Sequence, residues 1–372
     1  MIPVSRPSMG KEELEAVGKV FETGWLGLGS TVLEFENKLK EYTGAKNAIA
    51  VTNGTAALHI ALDGFGVGPG DEVIVPSLTF AATIQAILAV GATPVFCEVM
   101  PQTLNVDIKD VENRVTPRTK AIMPVHYCGN ACDMDALLKI ADARGIKIIE
   151  DAAHAFGTVY KGKKIGGFGH CACFSFDAIK NITCGEGGAV LLPDDAIAEK
   201  IRRKRVLGID KDTWARYQNK RLWFYEVVDT GYRYHMSNIN AAIGLVQFGK
   251  LDKFLARKRE ITKNYDAAFQ NMASVLPLEN DHENTAQFCY ILRVVKERDA
   301  FMEFLKERGA ATGVHYIPNH EQPVFKRFAK GPLPVTELLG AQICTLPLTP
   351  DMTDADVRTV VDAVTDFDKS RR

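Results

Sequence analysis

Neither sign of charge dominates this sequence. Its 372 residues carry 45 Lys and Arg against 46 Asp and Glu, a net charge of −1. That excludes wholesale attraction to nucleic acid or an anionic membrane and leaves room for a local basic pocket. Cysteine is sparse: eight in so long a chain do not build a disulfide scaffold, and a reducing cytoplasm is the expected location. The pairs Cys128/Cys132 and Cys171/Cys173 lack the spacing of usual zinc sites, so buried thiols and no metal are expected. The opening MIPVSRPSMGKEELEAV has no basic stretch leading into an apolar run, so no signal peptide is expected, and Asn181-Ile182-Thr183 reads as an accidental sequon. One long stretch, Val73 to Cys97, lacks any charge. It holds Pro76, Gln85, Gly91 and Pro94, so a strand, a short buried helix and a second strand fit it better than a membrane span. Repeats and low-complexity linkers are absent.

What is present is ordinary for a globular chain, 46% apolar and 24% charged, and the length suits a large domain plus a smaller one. KEELEAVGKVFETG has a helical apolar period that stops at Gly24, and Val32 to Tyr42 repeats it. Short apolar segments then alternate with helical ones: strands at Asn47 to Thr52, Glu72 to Val75, Pro94 to Val99, Ala121 to Val125 and Lys147 to Glu150, with helices at Thr55 to Phe65, Thr83 to Val90 and Met134 to Arg144. Such alternation implies a mostly parallel sheet wrapped by helices. After Gly185 to Leu192 come a helix (Asp195 to Val206), an irregular stretch rich in Trp, Tyr and Arg (Gly208 to Tyr234), and a helix from Asn238 to Arg259. From about Val275 the pattern becomes that of a smaller α+β domain. The expected division is 1–250 and 251–372.

Three segments carry candidate chemistry. Ile148-Ile-Glu-Asp-Ala-Ala-His154 ends a buried strand with acids and a histidine, the place where ligands meet an open α/β sheet; the plain alternative for Asp151 is a helix N-cap. In Cys173-Phe-Ser-Phe-Asp-Ala-Ile-Lys-Asn-Ile-Thr-Cys-Gly-Glu-Gly-Gly188, Lys180 sits between an apolar strand and a glycine-rich turn. Partial burial would lower its pKa and make it an amine nucleophile; the commoner case is a surface lysine before a hairpin. Thr52-Asn-Gly-Thr-Ala-Ala57 joins strand to helix, and its free N–H groups form an anion site. It has no P-loop lysine, which argues against nucleotide triphosphate hydrolysis. Gly64-Phe-Gly-Val-Gly68 is too irregular for a dinucleotide fingerprint, and His59 reads as a packed core residue.

Taken in order, a phosphate-binding helix start, Phe80 after a strand, the strand-end Asp151 and a lysine 29 residues later resemble the fold-type I pyridoxal-phosphate enzymes of aspartate aminotransferase architecture. GDEVIVPSLTF, PVHYCGN, IEDAAHAFG, FSFDAIKNITCGEGG and NINAAIGLVQ narrow the resemblance to the DegT/DnrJ/EryC1/StrS sugar aminotransferases, from about Ile2 to Val364. The segments SRPSMGKEELEAV, LGID…TW, GYRYHMSNINAAIG and CTLPLTPDM are similar to members that aminate C4 of a nucleotide-linked 4-keto sugar. The resemblance implies pyridoxal 5′-phosphate held covalently by Lys180, L-glutamate as donor with 2-oxoglutarate as product, and a ping-pong mechanism. It implies Asp151 at the pyridine nitrogen, Phe80 stacked on the ring and His154 near the ring's oxygen side. Gly54, Thr55 and Ser175 are implied at the phosphate. Arg233 stands where many relatives place an Asn that reaches the neighbouring subunit's phosphate, and His235 replaces an Arg, so the implied homodimer would share its sites. Trp25, Tyr316 and His320 fall where relatives approach the nucleotide sugar; the plain reading of Trp25 is a hydrophobic anchor. Rival readings are amination at C3 or of a keto-cyclitol, a sugar dehydratase (whose His would replace Lys180), and a regulatory cofactor-binding protein. The pathway stays open among lipid A, O-antigen, capsule and antibiotic sugars.

Overall fold

A computed structural model describes residues 1–210 and 225–371. Part of the irregular stretch expected at Gly208 to Tyr234, residues 211–224, lies outside the described residues. The strands are β1 (Asn47–Val51), β2 (Glu72–Pro76), β3 (Thr93–Cys97), β4 (Thr119–Ile122), β5 (Lys147–Asp151), the short pair β6 and β7 (Val159–Tyr160 and Lys163–Lys164), β8 (Cys171–Ser175), β9 (Gly188–Leu192), β10 (Val275–Pro277), β11 (Tyr290–Val294) and β12 (Ile343–Leu346).

Seven of them form one sheet in the order β1-β9-β8-β5-β4-β2-β3. β2, β3, β4, β5 and β8 pair in parallel, and β9 runs antiparallel to both its neighbours. Both faces are covered, which explains why the strands read as continuous apolar runs rather than alternating ones. Along β1 the alternation still sorts residues. Ile49 and Val51 pack with helices Gly54–Gly64, Ala81–Ala89 and Asp195–Lys204 on one face, while Ala48 and Ala50 pack with helices Ser30–Thr43 and Asn238–Phe269 on the other. The charge-free stretch resolves as expected into β2, a helix and β3. Among the described residues no helix is long and apolar enough to cross a membrane. All eight cysteines are free and buried, and no cluster of potential metal ligands exists among the described residues.

A second unit packs β10, β11 and β12 antiparallel against helices Arg298–Glu307 and Asp354–Ser370. Two differences from expectation stand out here. Helix Asn238–Phe269 runs ten residues past Arg259, because Ile261, Tyr265 and Phe269 continue the i, i+4 apolar spacing and are buried in the second unit's core. The expected boundary between residues 250 and 251 therefore falls inside a continuous helix, whose first half packs on the large sheet and whose second half packs on the small one. The N-terminus also belongs with the second unit: Ile2 bridges Ala310, and the Leu348 N–H donates to the Val4 carbonyl at 3.0 Å.

Candidate active site

The carboxyl ends of β1, β2, β5 and β8 open into a cavity of about 410 Å³, where ligands are expected in an open α/β sheet. Asn53, after β1, caps helix Gly54–Gly64 by accepting the Ala56 N–H at 2.8 Å, and its carbonyl accepts the Ala57 N–H at 3.1 Å. Gly54 and Thr55 open that helix and line the cavity, so their N–H groups have no partner within the helix. Ser175, the last residue of β8, closes the other side. A Cβ added at Gly54 would meet the Ser175 Cβ at 2.8 Å, so only glycine lets the two chain segments approach this closely. Gly54→Ala is expected to push them apart and weaken cofactor binding about tenfold or more, a typical overpacking cost. An absorbance titration with pyridoxal phosphate checks this; unchanged affinity with an intact circular dichroism spectrum would contradict it.

Asp151 ends β5. The Thr83 hydroxyl donates to its Oδ2 at 2.8 Å and the Ala153 N–H to its Oδ1 at 3.2 Å. Burial raises its pKa, opposed by those two bonds and by the charge of Lys180. Lys180, on the loop after β8, shows the mirror case: burial lowers its pKa, while Asp151 and Asp177 raise it. The two groups are thus each other's counter-charge across one cavity. The Lys180 Nζ lies 4.2 Å from the centroid of Phe288.

His154 stacks on the same Phe288 ring at 4.2 Å with planes 10° apart, and its Nε2 lies 3.1 Å from the Tyr316 hydroxyl. Its pKa is pushed well down by burial, with Lys180 and His315 adding to the effect. The buried Nδ1 of His154 has no hydrogen-bond partner among the described residues, an orphan that a bound polar group would satisfy. Phe80 and Tyr316 form the outer wall, with ring centroids 5.5 Å apart, and Phe80 stays 57% exposed. An anion cradle at Gly54, Thr55 and Ser175, a buried acid and amine, an orphaned imidazole nitrogen and exposed aromatics fit pyridoxal 5′-phosphate in size and charge.

Three expected site residues lie outside the cavity lining. Both nitrogens of His320 are engaged, Nδ1 with the Ser77 hydroxyl at 2.7 Å and Nε2 with Glu337 at 3.2 Å. Trp25 donates its indole N–H to the Leu28 carbonyl at 2.8 Å, while its own carbonyl accepts from the Asn238 side chain at 2.9 Å, the arrangement of a loop anchor. Arg233 is exposed on a bridge to Val206, flanked by Tyr232, whose hydroxyl donates to Asp63 at 2.9 Å, and Tyr234, whose hydroxyl meets His59 at 3.0 Å. His59 is thus buried and bonded, as its place in an apolar helix suggested. Conversely, sequence reasoning missed Thr83, Phe288, His315, Asp177 and Glu186. His315 adjoins the named Tyr316, and Asp177 and Glu186 flank Lys180, so proximity to a motif could have found those three; nothing in the sequence marks Thr83 or Phe288.

A profile described as the DegT/DnrJ/EryC1/StrS aminotransferase family matches residues 7–365. The chain belongs to this family. It is 41% identical over 378 residues to the spore coat polysaccharide biosynthesis protein SpsC of Bacillus subtilis, covering 99% of this chain and 97% of that one. Among solved structures it resembles the putative sugar aminotransferase Spr1654 of Streptococcus pneumoniae in its PMP form, with a TM-score of 0.94, 30% identity and 100% of each chain covered. It also resembles the aminotransferase TlmJ of Streptoalloteichus hindustanus, with a TM-score of 0.91, 34% identity and 98% of each chain covered. The family is that of pyridoxal-phosphate-dependent sugar aminotransferases, and the fold expected from the resemblance is the one observed.

Proposed function

We propose that this sugar aminotransferase moves the amino group of L-glutamate to the C4 keto group of a nucleotide-linked 4-keto sugar by a ping-pong mechanism. The observation that carries the reading is the Lys180–Asp151 pair facing one cavity whose far side is the Gly54–Ser175 cradle. When bound, pyridoxal phosphate supplies the electron sink that takes up the pair released as the donor Cα loses its proton. The chain's residues do the rest. Gly54 and Thr55 N–H groups and the Ser175 hydroxyl would hold the phosphate. Asp151, fixed by Thr83, would keep a proton on the pyridine nitrogen. Lys180 would hold the cofactor covalently and, as a free amine, would carry the proton given up by the donor Cα. Its lowered pKa favours the free amine which that task needs. His154 would offer its unpaired Nδ1 to a polar group of the cofactor, Phe80 would cover its ring, and Tyr316 would meet substrate at the mouth.

Turnover of a panel of 4-keto nucleotide sugars with ¹⁵N-labelled glutamate tests the assignment. The label is expected at C4; its appearance at C3, or turnover only of a free keto-cyclitol, would overturn it.

Arg233, exposed on its own subunit, is assigned to the phosphate of a neighbouring subunit in a shared-site homodimer. Its several fixed donors suit a dianion. Arg233→Glu and Lys180→Ala are each expected to be inactive, and mixing them should restore activity, because one class of site in the mixed dimer holds both native residues. No recovery after confirmed subunit exchange, or full activity of Arg233→Glu alone, would sink the cross-subunit role.

A further inference from the structure

Outside the cavity, helix Asn238–Phe269 buries a cation with no acid to match it. Lys258 is 4% exposed, and among the described residues no carboxylate lies within ion-pair distance of its ammonium. Lysine is almost never buried unpaired. Among the described residues its one hydrogen bond runs to the Asn181 Oδ1 at 3.0 Å. Asn181 follows Lys180 in the chain, and its Nδ2 donates to the carbonyls of Phe156 at 3.2 Å and Ala286 at 3.1 Å. The peptide that carries Lys180 is therefore clamped from three segments. Lys258 and Lys180 also line the same narrow cleft, together with Arg6, Ser8 and Thr183.

We propose that Lys258 is a positioning residue for Lys180: it anchors the lysine loop through Asn181, and its buried charge biases the Lys180 nitrogen toward the unprotonated form that reacts with the cofactor. The proposal rests on the reading of Lys180 as the cofactor-binding lysine. Anchoring alone would be served as well by a neutral amide donor, so it does not account for a lysine here. A like charge nearby does: it disfavours protonation of the neighbouring amine. Asp151, Asp177, Cys289 and Cys128 act on Lys180 in the opposite direction. Facing Lys258 itself are Lys180 and Cys289, with Arg6 on the same cleft. Its pKa is lowered to about 8 by burial, with Lys180 lowering it further and Cys289 opposing, so the charge is present at neutral pH and fades above pH 8.

The test compares Lys258→Gln, which keeps a donor for Asn181 without the charge, with Lys258→Arg, which keeps the charge. The readout is the pH titration of the bound cofactor's near-visible absorbance, with a thermal melt to confirm folding. Removing the charge should raise the apparent pKa of the chromophore by roughly 0.5–1.5 pH units, the size of a like-charge interaction across partly buried space. Lys258→Arg should stay near wild type. Should Lys258→Gln fail to fold, Lys258→Met removes the charge and the Asn181 contact together, and Asn181→Ala, which removes that contact alone, is the control that isolates the charge. An unchanged titration in the neutral variant, or an equal shift in the Gln and Arg variants, would overturn the charge role. A wild-type protein that forms no chromophore would instead refute the assignment of Lys180 on which the proposal stands.

Discussion

Lys180→Ala should fold, bind pyridoxal phosphate without a covalent bond, and lose turnover by at least about 10³-fold, because in the proposed mechanism one residue supplies both the covalent tether and the proton carrier. Its side chain lies against Phe288 and opposite Asp151, and truncation removes no part of the sheet. Melting temperature and phosphate binding at Gly54, Thr55 and Ser175 should therefore change little. The measurement is a rate assay beside an absorbance spectrum: the near-visible band of wild type should be replaced by that of the free aldehyde. Residual turnover within tenfold of wild type would mean that another amine does the work. Addition of a small primary amine offers a second check, since it should return part of the rate by replacing the missing nitrogen.

Asp151→Asn should cost nearly as much. The substitution keeps the shape of the side chain at the end of β5 and keeps an acceptor for the Thr83 hydroxyl, while it removes the charge proposed to hold a proton on the ring nitrogen. Breaking one side of a buried ionic contact costs about 3–5 kcal/mol, so transamination is expected to fall roughly 10²–10⁴-fold with the cofactor still bound. A second consequence concerns Lys180. Asp151 raises the pKa of that amine against the lowering effect of burial, so its neutralisation should move the amine's titration further down. Near-normal turnover in the Asn variant would show that a different group meets the nitrogen.

Most of the frame was legible because it rests on local periodicity. Strands buried on both faces read as short apolar runs, and the helices between them keep their spacing and their caps, as with Asn53 before Gly54. Asp151 and Lys180 were legible for a related reason: Asp151 stands at a strand end, where an apolar run stops, and Lys180 lies in the loop between β8 and a glycine-rich turn. What failed to show were relations set by the packed fold. Thr83 reaches Asp151 across 68 residues of sequence, and Phe288 comes from the second unit to lie beneath both Lys180 and His154. Neither residue carries a local signature that separates it from an ordinary core residue. His320 shows the reverse limit. It sits four positions from Tyr316, which does line the cavity, yet Ser77 and Glu337 take both of its nitrogens. The boundary between the units was invisible for a similar reason. A helix that serves two cores has no break in its pattern at the point where one core gives way to the next.

One covalent bond, from Lys180 to the cofactor, underlies the proposed mechanism, and it can be read directly. The purified protein, loaded with pyridoxal phosphate, is reduced with borohydride, digested and mapped by mass spectrometry. The phosphopyridoxyl mass is expected on the peptide that contains Lys180, and on no other in stoichiometric amount. Stoichiometric label on a different lysine, or no label on a protein that has taken up the cofactor, would contradict the assignment of Lys180 and the mechanism built on it.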